Sequence, residues 1–390
     1  MKKRTLALAA VTILLTSLSL SAPPTAVAHG GGHKAPARSC SLADATLVPK
    51  ASTNTKLTKQ FAKYGNTSGK WSGADSTYSV RLKNGTTAWL FSDTFYGKVN
   101  PDGSRPADTT FINNSIVLQR GSRLVDTITG GTAKHPAAII PPKSDTSWYW
   151  LGAGALSSNG RTLYLGALNF SKFPPYGMWD FGWDSTSIAS VDTRTWKLTK
   201  LTPAPSDHGV QWASWYQYDH GYTYIYGVED LGLAKYMHVA RVKGKDLTQV
   251  KKWRFWTGSG WSAREADSVQ VMAGVGNEYS VTPFRDGYLL VTQDTNELFS
   301  SKVLGYVSCS PTGPFVNPVT LFEMAEVGPL GSYGDPDVFA YNAHVHPQLS
   351  SNSRLLVTYN VNSFDNVGDV YDDVSIYRPR FIDVALKVAR

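Results

Sequence analysis

The sequence predicts an all-β fold, a five-bladed β-propeller, on three observations. Helical periodicity is nearly absent: the apolar segments are short, rich in Tyr, Val, Ile, Thr and Trp, and separated by turn residues. Hairpin-like units recur, with turns beginning at residues 84, 159, 220, 286 and 352, spaced 75, 61, 66 and 66 residues apart. Each hairpin is followed by a further strand-like segment, at 112–119, 187–192, 238–242, 302–309 and 374–378. Self-similar β units at such a period signal radial repetition about an axis. A β-sandwich with irregular insertions is the alternative arrangement.

The chain opens on a targeting pattern. Lys2, Lys3 and Arg4 precede an apolar stretch over 6–20, and Ala26-Val27-Ala28 supplies small residues for cleavage, so residues 1–28 read as a secretory signal peptide. Cleavage removes three positive charges and takes the formal net charge from +8 to +5. The densest remaining basic runs are Lys243-Gly244-Lys245 and Lys251-Lys252. That is no concentrated basic face, which argues against nucleic acid as a partner. No other stretch is long and apolar enough to span a bilayer, so the cleaved protein is expected off the membrane, extracellular and monomeric. Residues 29–50, rich in Gly, Ala and Pro at their start, are expected to be a flexible leader carrying Cys40, and 51–390 a single propeller domain. In an oxidising compartment Cys40 and Cys309, the two cysteines of the chain, are expected to pair.

The hairpins follow in order. Segment 77–82 meets the Asn84-Gly85 turn and returns over 87–91. Segment 148–155 meets Asn159-Gly160 and returns over 161–167; 210–217 meets His220-Gly221 and returns over 222–228. Segment 279–282 meets Asp286-Gly287 and returns over 288–292; 344–349 meets Asn352-Ser353 and returns over 354–359. A propeller brings its inner strands to one axial pocket, so chemistry is sought at the hairpin ends away from the turns.

Carboxylates stand at those ends. Asp75 precedes the first hairpin and Asp93 ends it. With Asn84-Gly85 as a two-residue turn, Asp93 faces Ser76 and Asp75 faces Thr94. The two aspartates are then diagonal neighbours on opposite faces unless a bulge re-aims one. A nearby carboxyl pair suits glycosidic bond cleavage, one group donating a proton to the leaving oxygen while the other activates water or attacks. Repulsion between them raises one pKa and keeps that group an acid. Asp and Glu at such places also simply cap turns. Glu229 lies nine residues after His220, as Asp93 lies nine after Asn84, and is a rival acid; Asn169, Asp294 and Asn360 end the corresponding strands.

Aromatic residues crowd the same ends. Trp71, Trp148, Trp150, Trp212, Trp215 and Tyr216 flank the first three hairpins and could stack on sugar rings or pack the blades. His344 and His346 alternate on the fifth inner strand, where His346 could hold substrate, water or an axial ion, or be a satisfied core histidine. Asp335-Pro336-Asp337 reads as a turn, with calcium as a weaker reading. The sequence contains no Gly-rich phosphate loop, zinc spacing or nucleophile elbow, and no cofactor is called for.

The stretch 71–80, WSGADSTYSV, followed by Trp89-Leu90-Phe91-Ser92-Asp93-Thr94, resembles the opening of a secreted actinobacterial propeller family long described as a domain of unknown function. That family resembles glycosidases described as endo-D-arabinanases. Further similar pieces are Ile112-Asn113-Asn114-Ser115, Tyr226-Gly227-Val228-Glu229-Asp230 and 341–347, YNAHVHP. The resemblance implies a five-bladed propeller with a furanoside-cleaving pocket, Asp75 and Asp93 as the catalytic pair, and an arabinose-containing polysaccharide as partner. A broader relation to arabinofuranosidase and arabinanase propellers would make Glu229 the acid. Where the family often shows Gly-Gly-Asp-Gly, this chain has Gly73-Ala74-Asp75-Ser76. The expected catalytic set is Asp75, Asp93 and Glu229; the expected substrate contacts are Trp71, Asn114, Trp150, Asn169, Trp212, Trp215 and His346. A non-catalytic sugar-binding propeller, or a glycosidase or lyase on another glycan, are the other readings of these residues.

Overall fold

The computed structural model describes residues 40–389; the signal-like segment and most of the leader lie outside them. Among the described residues the fold is all-β, organised in five antiparallel sheets of four or more strands. Most strands that are consecutive within a sheet lie side by side. The first sheet contains Tyr78–Arg81, Thr87–Phe91, Ser115–Arg120 and Arg123–Ile128. The second contains Ser147–Leu156, Thr162–Lys172, Phe181–Asp192 and Leu198–Pro203. The third runs Val210–Asp219, Tyr222–Asp230, Lys235–Lys243, Arg254–Trp256 and Trp261–Ser262, with Met272–Ala273 paired to its middle strand. The fourth contains Tyr279–Phe284, Gly287–Gln293, Lys302–Ser308 and Val316–Glu323. The fifth contains Val338–Val345, Arg354–Ser363 and Arg380–Ala389, and its fourth strand is the early segment Thr46–Thr53.

Three boundaries depart from the sequence expectation. The fifth sheet's first strand is Val338–Val345 rather than 344–349; His346 lies beyond its end and Pro347–Leu349 form a short helical turn, since Pro347 has no N–H to give a ladder. Thr46–Thr53 lies partly inside the supposed leader, yet all eight residues pair with 382–389 of the fifth sheet. The alternate residue Leu47 is buried there, a period-2 signal too short to stand out beside a Pro-rich start. The third strand of the fifth sheet is Arg380–Ala389 rather than 374–378. Val374, Ile376 and Tyr377 are apolar because that connecting segment is itself buried. Between the early strand and the first sheet stands a helix, Thr55–Thr67, capped by the Asn54 side chain accepting from Leu57 N–H (3.0 Å). Its Phe61 is buried among Trp71, Trp89 and Phe381.

The first strands of successive sheets touch in order, and side chains tie them together. Tyr78 donates to the Ser214 carbonyl (2.7 Å), and the Ser280 hydroxyl accepts from Val345 N–H (3.0 Å). The fifth and first sheets meet where the His344 ring stacks on Tyr78 at 4.3 Å and His346 Nδ1 bonds the Ser79 hydroxyl (2.5 Å). The ends of these strands therefore converge on one region. Cys40 and Cys309 form the expected disulfide. No helix among the described residues is long and apolar enough to cross a membrane.

Candidate functional site

A cavity of about 1200 Å³ opens where the strand ends converge. Its lining includes Asp75, Asp93, Asp230, Glu278 and Asp294, set among Trp148, Trp150, Phe170, Phe181, Tyr341 and Tyr377. Most enclosed sites for small ligands are roughly 300–1000 Å³, so this one is large.

Asp75 and Asp93 reach the cavity because of the first turn. Leu82 N–H donates to the Thr86 carbonyl (2.8 Å) and Gly85 N–H to the Leu82 carbonyl (3.0 Å). Gly85 has φ +80°, so the loop is three residues closed through a left-handed glycine, not two. The extra residue moves the register by one: Arg81 pairs with Thr87 and Ala74 with Thr94. Asp75 thereby lies directly opposite Asp93, its N–H on the Asp93 carbonyl (3.3 Å). Direct opposition places both side chains on one face. The strand breaks between them and the turn, at Ser76 (φ 67°) and Thr77 (φ 62°). Gly73 admits the close approach beside them, since a Cβ there would lie 2.4 Å from the Tyr377 carbonyl oxygen and from Arg105 Nη2.

The two carboxyls sit in different surroundings. Asp75 Oδ2 accepts from the Tyr341 (2.8 Å) and Tyr377 (3.0 Å) hydroxyls, while its buried Oδ1 has no protein partner. Burial pushes its pKa up to about 6, opposed by the two tyrosine hydrogen bonds. Asp93 Oδ1 accepts from Asn113 Nδ2 (2.8 Å) and Trp150 Nε1 (2.7 Å). Burial first and the neighbouring Asp75 charge second push it up to about 8, against those two donors. Burial favours the proton on both carboxyls, and more strongly on Asp93, where the charge of Asp75 adds to it.

A third carboxyl, Glu278, was missed. It stands one residue before the fourth sheet's first strand, as Asp75 stands just ahead of the first sheet's, and that parallel is the signal that could have found it. Its Oε1 accepts from the Ser76 hydroxyl (2.7 Å), which is also bonded to the Ser92 hydroxyl (2.7 Å). Its buried Oε2 has no hydrogen-bond partner, though His344 Nδ1 is 3.5 Å away. Burial raises the Glu278 pKa well above the ordinary carboxyl range, and burial pulls His344 down to about 4. Burial thus disfavours the charged form of both partners in this contact.

The other predicted residues divide. Trp150 lines the cavity; Trp71, Asn114, Asn169, Trp212, Trp215 and His346 do not. Trp71 packs against Phe61 and Phe91. Asn114 is a buried clamp, donating to the Ile140 (3.2 Å) and Tyr149 (2.9 Å) carbonyls; its neighbour Asn113 is the one that reaches Asp93. Asn169 donates to the Trp148 carbonyl (3.0 Å), and Trp212 Nε1 to Glu265 (2.7 Å). Trp215 is buried beside Tyr78 and His344. His346 is buried between the Ser79 and Thr358 hydroxyls. Glu229 also stands outside the lining, taken up by Gln270 (2.7 Å) and His238 (3.4 Å). Its turn, His220-Gly221, does hold two residues, so counting nine from the turn leads to a different face than in the first sheet. The next residue, Asp230, faces the cavity, paired to Lys235 at 2.5 Å. Asp335-Pro336-Asp337 is a turn, closed by Asp337 N–H on Asp335 Oδ1 (2.8 Å).

Comparison with solved structures bears on the fold. A protein from Bacteroides ovatus ATCC 8483 called a "putative hydrolase" superposes with a TM-score of 0.70 at 20% identity, over 87% of this chain and 94% of that one. An exo-beta-1,3-galactanase from Phanerochaete chrysosporium matches at a TM-score of 0.47 and 10% identity, over 82% of this chain and 61% of that one. A GH62 alpha-L-arabinofuranosidase catalytic domain from Coprinopsis cinerea matches at 0.46 and 10%, over 81% and 92%. No curated protein sequence matches the chain. Residues 58–386 match the family described as "Domain of unknown function (DUF5005)", and since that span is most of the chain, the chain belongs to this family.

Proposed function

We propose that the chain is a secreted glycoside hydrolase, a five-bladed propeller whose five sheets are the blades. Its substrate would be an arabinose-containing polysaccharide with furanosidic linkages, D-arabinan first among them. The observation that carries the reading is the direct opposition of Asp75 and Asp93 in an aromatic-lined cavity, with surroundings that separate their protonation states. Such separation is how two carboxyls divide acid and base work.

In this reading Asp93 gives its proton to the glycosidic oxygen as the bond to the anomeric carbon breaks. Asp75, through the oxygen that no protein donor occupies, takes a proton from the water that adds to that carbon, or attacks it directly. Tyr341 and Tyr377 hold Asp75 in place and favour its charge. Glu278, on the same wall and with burial favouring its proton, is the alternative proton donor. The signal-like start and the Cys40–Cys309 bond support export. The resemblance of the first hairpin to endo-D-arabinanases is what favours D-arabinan.

The test is release of new reducing ends from purified D-arabinan and L-arabinan. Wild type should release them; Asp75→Asn, with unchanged circular dichroism, should not. Comparing Asp93→Asn with Glu278→Gln identifies the donor, because loss of the acid is partly rescued on substrates with an activated leaving group. Retention of polysaccharide without cleavage would replace the hydrolase with a sugar-binding protein.

A further inference from the structure

The cavity continues outward from Trp150 along an aromatic wall, and the wall has an outer end built from separate sheets. Trp150 lies against Phe170 with the rings tilted (4.4 Å between centroids) and meets Phe181 edge-on (5.3 Å). Phe181 touches Trp179 (6.4 Å), which sits on the connection between the second and third strands of the second sheet. Trp179 in turn meets Phe364 (6.1 Å), which follows the second strand of the fifth sheet. Phe364 stacks on Phe339 (4.6 Å) and meets Phe299 edge-on (5.0 Å). Trp179, Phe299 and Phe364 are all more than 40% exposed. Burying apolar rings would ordinarily be favourable, so rings left open and continuous with a large polar-floored cavity are placed for a ligand with both apolar and polar faces.

Charge narrows the ligand. Six carboxyl side chains line the cavity: Asp75, Asp93, Asp230, Glu278, Asp294 and Glu297. Asp230 and Glu297 are paired to Lys235 (2.5 Å) and Lys302 (2.9 Å), and burial disfavours charge on Asp93 and Glu278, so Asp75 and Asp294 are the acids that face a ligand without a cation partner. The lining holds no arginine, and its cations are Lys172 and Lys235. Lys235 is committed to Asp230 (2.5 Å), and Lys172 reaches the Gly177 carbonyl (3.5 Å). Recognition of an anionic sugar calls for Arg or Lys free to pair with its carboxylate, and among the lining residues Lys172, opposite Phe181 on the wall, is the single cation without an acidic partner, set against Asp75 and Asp294.

We propose that the cavity selects an uncharged oligosaccharide of several sugar units, laid along the wall from Trp150 to Trp179, and rejects the same chain when it carries a uronic acid. The inference rests on the carbohydrate reading of the site but not on hydrolysis. Trp179 is then a specificity residue for the distal units, and length of chain, not only its terminal sugar, sets affinity.

The experiment is calorimetric titration of the full chain bearing Asp75→Asn, with linear arabino-oligosaccharides of two to six units. A second series carries the free terminal primary hydroxyl oxidised to a carboxylate. Affinity should rise with length. Trp179→Ala, made in the same background, should cut that rise by roughly tenfold, the scale of one aromatic stacking contact. The oxidised series should bind about tenfold more weakly, with the difference shrinking in high salt as charge repulsion is screened. Binding independent of length, no binding at any length, a Trp179→Ala protein that keeps the full length dependence, or equal affinity for the oxidised series would each overturn the proposal. Retained length-dependent binding with no reducing ends from wild type would instead sink the hydrolase reading and leave this one standing.

Discussion

Asp75 and Asp93 face each other across one hairpin: the N–H of Asp75 donates to the carbonyl of Asp93 at 3.3 Å, and their side chains share a cavity. The pair is coupled through space as well as through backbone, since Asp75's charge is among the causes that raise Asp93. Activity should therefore follow a bell in pH. The rising limb, near 6, belongs to ionisation of Asp75, and the falling limb, near 8, to loss of the Asp93 proton. Initial rates from pH 4 to 10 would check it; a profile flat across that range would contradict the assignment.

The hydrogen bonds to each carboxylate should move one limb each. Tyr341→Phe or Tyr377→Phe removes a donor that lowers the Asp75 pKa, so the acid limb should shift to higher pH. Trp150→Phe removes a donor that lowers the Asp93 pKa, so the alkaline limb should also shift to higher pH. The discriminating readout is which limb moves, not how far total activity falls.

Stability should carry the opposite signature to most acidic groups. A carboxyl whose pKa is higher folded than unfolded holds its proton more tightly when folded. Its stabilisation is complete below the unfolded value and declines as pH rises through the folded one. For Asp93 that window runs from the ordinary value of 3.8 to about 8. Asp93→Asn, which cannot ionise, should melt higher than wild type at pH 8, with the advantage vanishing at pH 4. Thermal melts at the two values would show it; a deficit at pH 8 equal to that at pH 4 would count against the buried-acid account.

Ser76 occupies the position where the resembled family often has glycine. The structure gives a reason for glycine there, since Ser76 has φ 67°, and a reason for serine, since its hydroxyl joins Ser92 to Glu278. Ser76→Ala keeps the backbone strain and loses the bonds, which should destabilise by about 1–3 kcal/mol. Ser76→Gly loses the same bonds but relieves the left-handed strain, so it should be less damaging by about 1 kcal/mol. Chemical denaturation of both variants tests the order.

Trp212→Phe should lower the melting temperature without altering substrate affinity, because its indole N–H satisfies the buried Glu265 carboxylate. A raised KM with unchanged stability would restore Trp212 as a sugar contact.

Much of the architecture was legible, because strand periodicity and turn residues are local properties. The site was less so, because it depended on register and depth. Read as a two-residue turn, Asn84-Gly85 put the aspartates on opposite faces; one more loop residue puts them on the same one. The same one-residue sensitivity separates Asn113 from Asn114 and Asp230 from Glu229. Trp71, Trp212 and Trp215 were chosen by residue type and place along the strand. Their depth is set by neighbours distant in sequence, such as Phe61, Phe255 and His344. Glu278 carries no local mark of its own: it stands just ahead of Tyr279–Phe284, and its partners Ser76 and His344 are distant in sequence.

Thr46–Thr53 pairs with 382–389, more than 300 residues further along the chain. During synthesis the early segment must wait, unpaired, until those residues have followed it. Its exposed hydrogen-bonding edge is then a place where another copy's strand could bind in error. Correct folding should depend on bringing these two distant segments of one molecule together, and dilute refolding should be slow but cleaner than concentrated refolding.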